Sequence, residues 1–146
     1  MKKRRRKGAI ELSFGMIFSI ILIIAFIAFG FYAITKFLEM QKTIQIESFF
    51  SDFQNDVDSM WKSSYGAPQS LSYSLPNKIT AICFKNDEFQ NLELISNEIT
   101  KGEMIEYLDI EKTTRDGSPF CIQNVKGKVT IKLVKEFGET LVTVER

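Results

Sequence analysis

The sequence predicts an α+β protein: one long N-terminal helix, transmembrane and then amphipathic, packed on a small antiparallel β-sheet domain. Three observations carry this. Leu12 to Thr35 is a run of 24 residues without a charge. Beyond it, apolar residues recur at three- and four-residue spacing as far as Trp61. After Pro68 the period drops to two, in short runs of β-branched and aromatic residues separated by turn residues.

The uncharged run is long enough to cross a bilayer. As a helix it spans about 36 Å at about 1.5 Å per residue, against a hydrocarbon core of about 30 Å. Ile17 to Phe31 presents apolar residues on every face, more than a domain of this size could cover. Six consecutive cations precede it: Lys2, Lys3, Arg4, Arg5, Arg6 and Lys7. Lys and Arg stay on the cytoplasmic side, and the far end carries only Lys36 and then Glu39. The expected topology is therefore single-pass, with a cytoplasmic N-terminus and everything from about Phe37 onward outside the cell membrane. A cleaved secretory signal has a shorter apolar core, about 7–15 residues, so removal of the helix is not expected.

The same cations explain the charge balance. The chain carries a formal +1, and without the six it is net acidic by about five charges. A nucleic-acid-binding domain would instead carry its basic charge along a folded face, so no nucleic-acid partner is expected. There is no histidine, which excludes His-based acid–base chemistry, a Ser-His-Asp triad and most zinc sites. No spacing of Asp, Glu, Ser and Lys groups them into a site. The reading is of a non-catalytic protein with no cofactor and no metal.

The elements follow in order. Ile46, Phe49, Phe50, Phe53, Val57, Met60 and Trp61 form one apolar stripe, with Glu47, Ser51, Asp52, Gln54, Asn55, Asp56 and Asp58 on the other positions. No Pro or Gly interrupts between Phe31 and Tyr65, so helix is expected from about Ile10 to about Lys62. Ser63, Ser64, Gly66, Ala67 and Pro68 read as a linker or turn. Leu71, Tyr73 and Leu75 alternate, Pro76-Asn77 turns, and Ile79 to Phe84 is a short strand. Phe89 to Glu98 is ambiguous, and Ile99 to Ile110 fits a strand, a short helix or a loop. Arg115 to Pro119 is a turn. Phe120 to Val125, Lys128 to Lys135 and Thr140 to Val144 read as strands, with Gly127 and Gly138 marking the turns between them. The stripe from Ile46 to Trp61 is the expected lid for one sheet face. The expected divisions are a basic cytoplasmic leader (1–8), a transmembrane helix (9–38), an amphipathic extension (39–64) and an extracytoplasmic sheet domain (65–146).

Cys83 and Cys121 fall in two of these strands. Outside the cell, disulfides persist, and a small domain gains most from one. A bridge would stabilise by roughly 4 kcal/mol in the chain-entropy account. Two buried thiols are the alternative. Neither a metal site nor a Cys-x-x-Cys redox pair fits two such distant cysteines.

Residues 3–12 read Lys-Arg-Arg-Arg-Lys-Gly-Ala-Ile-Glu-Leu, followed by an apolar helix that runs on into an amphipathic one. This N-terminus resembles that of the type IV pilins, including archaeal pilins and pseudopilins. In that family a membrane prepilin peptidase cuts after a glycine behind a short basic leader. The resemblance implies a cut after Gly8, with Ala9 as the new N-terminus. It also implies that Glu11 pairs with the N-terminal amine of a neighbouring subunit, where an unpaired charge in an apolar filament core is expensive. The family places its glutamate fifth after the cut; here Glu11 stands third. The implied role is a surface-filament subunit of an archaeal or bacterial cell, with membrane lipid, the peptidase and other pilin-like subunits as partners. Glu11 also suits a helix N-terminus at the membrane interface. The alternative reading of the same residues is an uncleaved, membrane-anchored extracytoplasmic binding or scaffold module.

Overall fold

The computed structural model describes residues 14–64, 66–97 and 100–145. Lys2 to Lys7, Gly8, Ala9 and Glu11 lie outside the described residues. The chain divides into two units, Met1–Met40 and Gln41–Arg146. Helix α1 runs from Phe14 to Lys62, 49 residues, and supplies part of both.

In the second unit α1 meets two antiparallel sheets. One has three strands, ordered β1 (Gly66–Ser74), β6 (Lys128–Lys135) and β7 (Thr143–Glu145). The other has four, ordered β4 (Lys101–Glu103), β3 (Leu92–Ser96), β2 (Ile79–Phe84) and β5 (Phe120–Gln123). A short helix, α2 (Ile110–Thr113), is capped by Asp109, whose carboxylate accepts from the Lys112 amide at 2.9 Å.

The stripe on α1 forms the centre of the core. Phe49, Phe50, Phe53, Val57 and Met60 are buried, and Ile46 and Trp61 pack at the margins. Val129, Ile131 and Leu133, alternate residues on one face of β6, have no exposure at all. Ile82, Phe84, Leu92 and Leu94 supply the facing surface of the four-stranded sheet. The ring centroid of Phe53 lies 5.9 Å from Tyr73 on β1 and 6.0 Å from Phe84 on β2, so it touches an aromatic ring in each sheet.

Three features differ from the sequence expectation. The sheet is divided in two, because β1 pairs with β6 while β2 pairs with β3 and β5. Gly66, Ala67 and Pro68 belong to β1 rather than to a linker. Pro68 is accommodated on this edge strand, where the register shifts between Gly66 and Gln69. The last strand starts at Thr143, because the backbone before it is engaged elsewhere. Val142 donates to the Tyr107 carbonyl at 2.9 Å and accepts from the Asp109 amide at 2.7 Å.

The C-terminal end of α1 is held by a residue from the far end of the chain. Lys135 is 7% exposed, and its ammonium donates to the carbonyls of Trp61 at 2.5 Å and Ser63 at 2.7 Å. These are carbonyls that a helix terminus leaves without partners, at the negative end of the helix dipole. Asn91, 6% exposed, clamps the backbone of Ile105 through both ends of its amide, at 2.7 and 2.8 Å. Gln54 of α1 accepts from the next amide, Glu106, at 2.9 Å.

Denaturation followed by the fluorescence of Trp61, the single tryptophan, separates these contributions. Phe53→Ala is expected to cost about 3–5 kcal/mol. Lys135→Ala is expected to cost about 1.5–3 kcal/mol, as for other charged hydrogen bonds. Lys132→Ala, which breaks only the half-exposed pair with Glu145 at 2.8 Å, is expected to cost under about 1 kcal/mol.

Candidate membrane and assembly surface

The first unit is defined by what does not cover it. Around the helix, Phe14 is 86% exposed, Phe26 71%, Phe29 69% and Phe31 68%, and Ile24 and Ile27 are also open. α1 is long and apolar enough to cross a membrane, and none of its most apolar stretch is buried within the chain. Two of its hydroxyls are satisfied by the helix itself. Ser19 donates to the Gly15 carbonyl and Thr35 to that of Tyr32, both at 2.8 Å. In an apolar medium this spares the cost of an unpaired polar group. Gly15 and Ser19 also form a small-residue pair four positions apart, of the kind that permits close helix approach, and Ser19 already spends its hydrogen on its own helix. Charge resumes with Lys36 and Glu39, which pair across one turn at 3.0 Å. Tyr32 and Phe37 flank this end, where aromatic rings suit a membrane interface.

In the second unit Cys83 and Cys121 are joined by a disulfide. They stand directly opposite each other on β2 and β5, with Ala81 opposite Gln123 and Phe84 opposite Phe120. The bridge ties the edge strand β5 to the interior strand β2 on the face turned away from Ile82 and Phe84. Cys83 is 5% exposed, whereas Cys121 lies in the open. The bond favours an extracytoplasmic setting for this unit.

Two polar groupings stand out. Tyr73 donates to the Asp56 carboxylate at 2.6 Å. Burial first, then the bond to Asp56 and the charges of Asp56 and Asp52, push the ionisation of Tyr73 far above the usual phenol range. At the connection between β6 and β7, the Lys112 ammonium donates to Glu136 at 2.8 Å and Glu139 at 2.5 Å. Those bonds raise Lys112 and lower Glu136 from their ordinary values. Phe137, between the two glutamates, is 90% exposed. Among the described residues no group of three or more His, Cys, Asp or Glu could hold a metal.

The structure thus brings together one pair that the sequence singled out, Cys83 and Cys121. Gly8, Ala9, Glu11 and the six cations are outside the described residues. Asn91 and Gln54 carry no signal in a local pattern, since each acts on a segment distant in sequence; for Lys135 the alternation of β6 gives the inward face but not the partners. Comparison with family models, with curated proteins and with solved structures finds no match to this chain.

Two outcomes are expected. Protein purified without reductant gives no labelled thiol on alkylation and mass spectrometry, and loss of either cysteine lowers stability by roughly 2–5 kcal/mol. On alkaline titration followed by phenolate absorbance, Tyr73 stays protonated until the domain opens. A phenol raised in the folded state stabilises it below the unfolded pKa of about 10, and that contribution fades as pH rises above it. Tyr73→Phe removes this part of the alkaline loss.

Proposed function

We propose that this chain is a non-catalytic, pilin-like or pseudopilin-like subunit, anchored by α1 with its sheet domain outside the cell. One observation carries the reading. A single helix is apolar and open on every side in its first half, and is the central core element of a disulfide-bonded domain in its second. That division suits a subunit held first by lipid and then by neighbouring helices. The basic run, Gly8, Ala9 and Glu11 add the elements of a processing site. Cleavage after Gly8 would remove six cations that cannot enter an apolar packed core without partners.

A second reading rests on the position of Glu11, third rather than fifth after the proposed cut. In it the leader stays, the chain is a monomeric anchor, and the outer domain binds or scaffolds another molecule.

The N-terminal mass of protein from its native membrane tests the two. Processing gives a chain beginning at Ala9, blocked when Gly8 is replaced by a bulky residue. Glu11→Ala then impairs assembly and leaves the outer domain folded. An intact leader on native protein overturns the pilin-like reading in favour of the anchor. Topology is tested separately: protease added to intact cells is expected to remove the sheet domain and spare the N-terminal tail, whereas a protected domain overturns the orientation.

A further inference from the structure

Strand β6 has opposite charge at its two ends. Where it follows β5, Lys126 and Lys128 are exposed, and among the described residues no carboxylate pairs with either. Val125 and Lys128 exchange both backbone hydrogen bonds, at 2.9 and 3.1 Å, leaving Lys126 and Gly127 as a two-residue turn with φ of 54° and 79°. Such turns favour Asn-Gly, so Lys126 holds its cation at the tip in a conformation that lysine rarely adopts.

The other end of β6 lies about 23 Å away, at about 3.3 Å per residue. Here Lys112 ties residues 109–116 to the hairpin 136–142 through Glu136 and Glu139. The two segments carry five acids, with Lys112 and Arg115 as their cations, so this end is net acidic. Phe137 stands between the two glutamates and is 90% exposed, more than any other large apolar side chain among the described residues. The Glu136 side chain beside it remains 59% exposed.

A seat for that ring lies next to the basic end. Ser74 of β1 stands directly opposite Lys128, and beside it a groove of about 300 Å³ opens between β1 and α1. Ile44, Phe49 and Tyr73 give the groove its apolar part, and Ser72 and Ser74 line its β1 side. The Tyr73 hydroxyl is already spent on Asp56. Asp52 lines the α1 side, so an acid arriving with a ring is repelled from that wall and held toward β1 and β6, where Lys126 and Lys128 lie. Within one chain β6 keeps Phe137 and this groove apart, so the ring that enters comes from another copy.

We infer that Phe137 of one copy seats in the Ile44–Phe49–Tyr73 groove of the next, with Glu136 meeting Lys126 and Lys128. The two surfaces differ, so the contact is heterologous and repeats from copy to copy in one direction. This rests on the subunit reading above and deepens it: it assigns a contact between outer domains, separate from any packing of the apolar helices.

The test places a benzophenone photo-cross-linker at position 137 of the full chain in its native membrane. Irradiation is expected to give a product of twice the chain mass, with the cross-link mapping to residues 44–52 or 72–74. Lys126→Glu with Lys128→Glu is expected to lower its yield by at least about tenfold, and adding Glu136→Lys to restore it. Lys126→Asn, which relaxes the turn, lowers the yield in a chain whose Trp61 fluorescence is unchanged, and Asp52→Asn raises it. Undiminished yield after the lysine reversal, cross-links to lipid or to another protein alone, or a dimer joined elsewhere overturns the inference. The N-terminal mass of the same material separates the two claims. A chain beginning at Ala9 that gives no cross-linked dimer overturns this contact and leaves the subunit reading standing. A mapped dimer of chains that keep their leader supports the contact and overturns the pilin-like reading.

Discussion

Phe53 has no exposed surface, and its ring lies between Tyr73 of one sheet and Phe84 of the other. The two sheets share no hydrogen-bonded ladder among the described strands, so side-chain packing must hold them together. Phe49 adds a second contact to Tyr73, edge to face at 5.4 Å, and stacks on Phe53. Each sheet has an apolar face that must be buried against another element. A helix with an aromatic stripe lets both faces close on one layer. The rest depends on that helix being placed correctly along its axis, which Lys135 at its end and Gln54 midway secure.

Much of this was legible because the signals were local. The stripe from Ile46 to Trp61, the breakers after Lys62, the alternation in Lys128 to Lys135 and the glycines at 127 and 138 each report on a few neighbouring residues. What escaped was set at a distance. Nothing near Gly66 announces that its strand will pair with one more than sixty residues away. Alternation puts Lys135 in phase with Val129, Ile131 and Leu133 and Lys132 on the opposite face, but nothing in Lys128 to Lys135 tells that the Lys135 ammonium reaches the carbonyls of Trp61 and Ser63. The cysteine pairing was readable from number, compartment and size, but its cross-strand placement was not. For the proposed processing at Gly8 and Ala9, sequence is the support, since those residues lie outside the described structure.

The character of α1 changes within a few residues. Ile44 is 53% exposed, and from Phe49 onward the stripe is buried. Among the described residues the core and the side chains packed on it begin at Ile46, so the sheets and their stripe form one energetic unit and the apolar half another. What covers that half, lipid or neighbouring helices, can then change without repacking the domain. A subunit that leaves a bilayer for a filament requires such independence.

The disulfide encloses residues 83–121, and so β3, β4 and α2, but no strand of the three-stranded sheet and no part of α1. This has a mechanical consequence. A pull along α1 from its N-terminal end enters the domain at Gln41 and loads Phe49, Phe53, Val57 and Met60 in shear, together with the ammonium of Lys135. These contacts yield collectively rather than one at a time. The covalent loop lies off that path and cannot act as a backstop. Tensile strength therefore rests on non-covalent packing around one helix, and the bridge protects the shape of the four-stranded sheet whether or not the tether is under load.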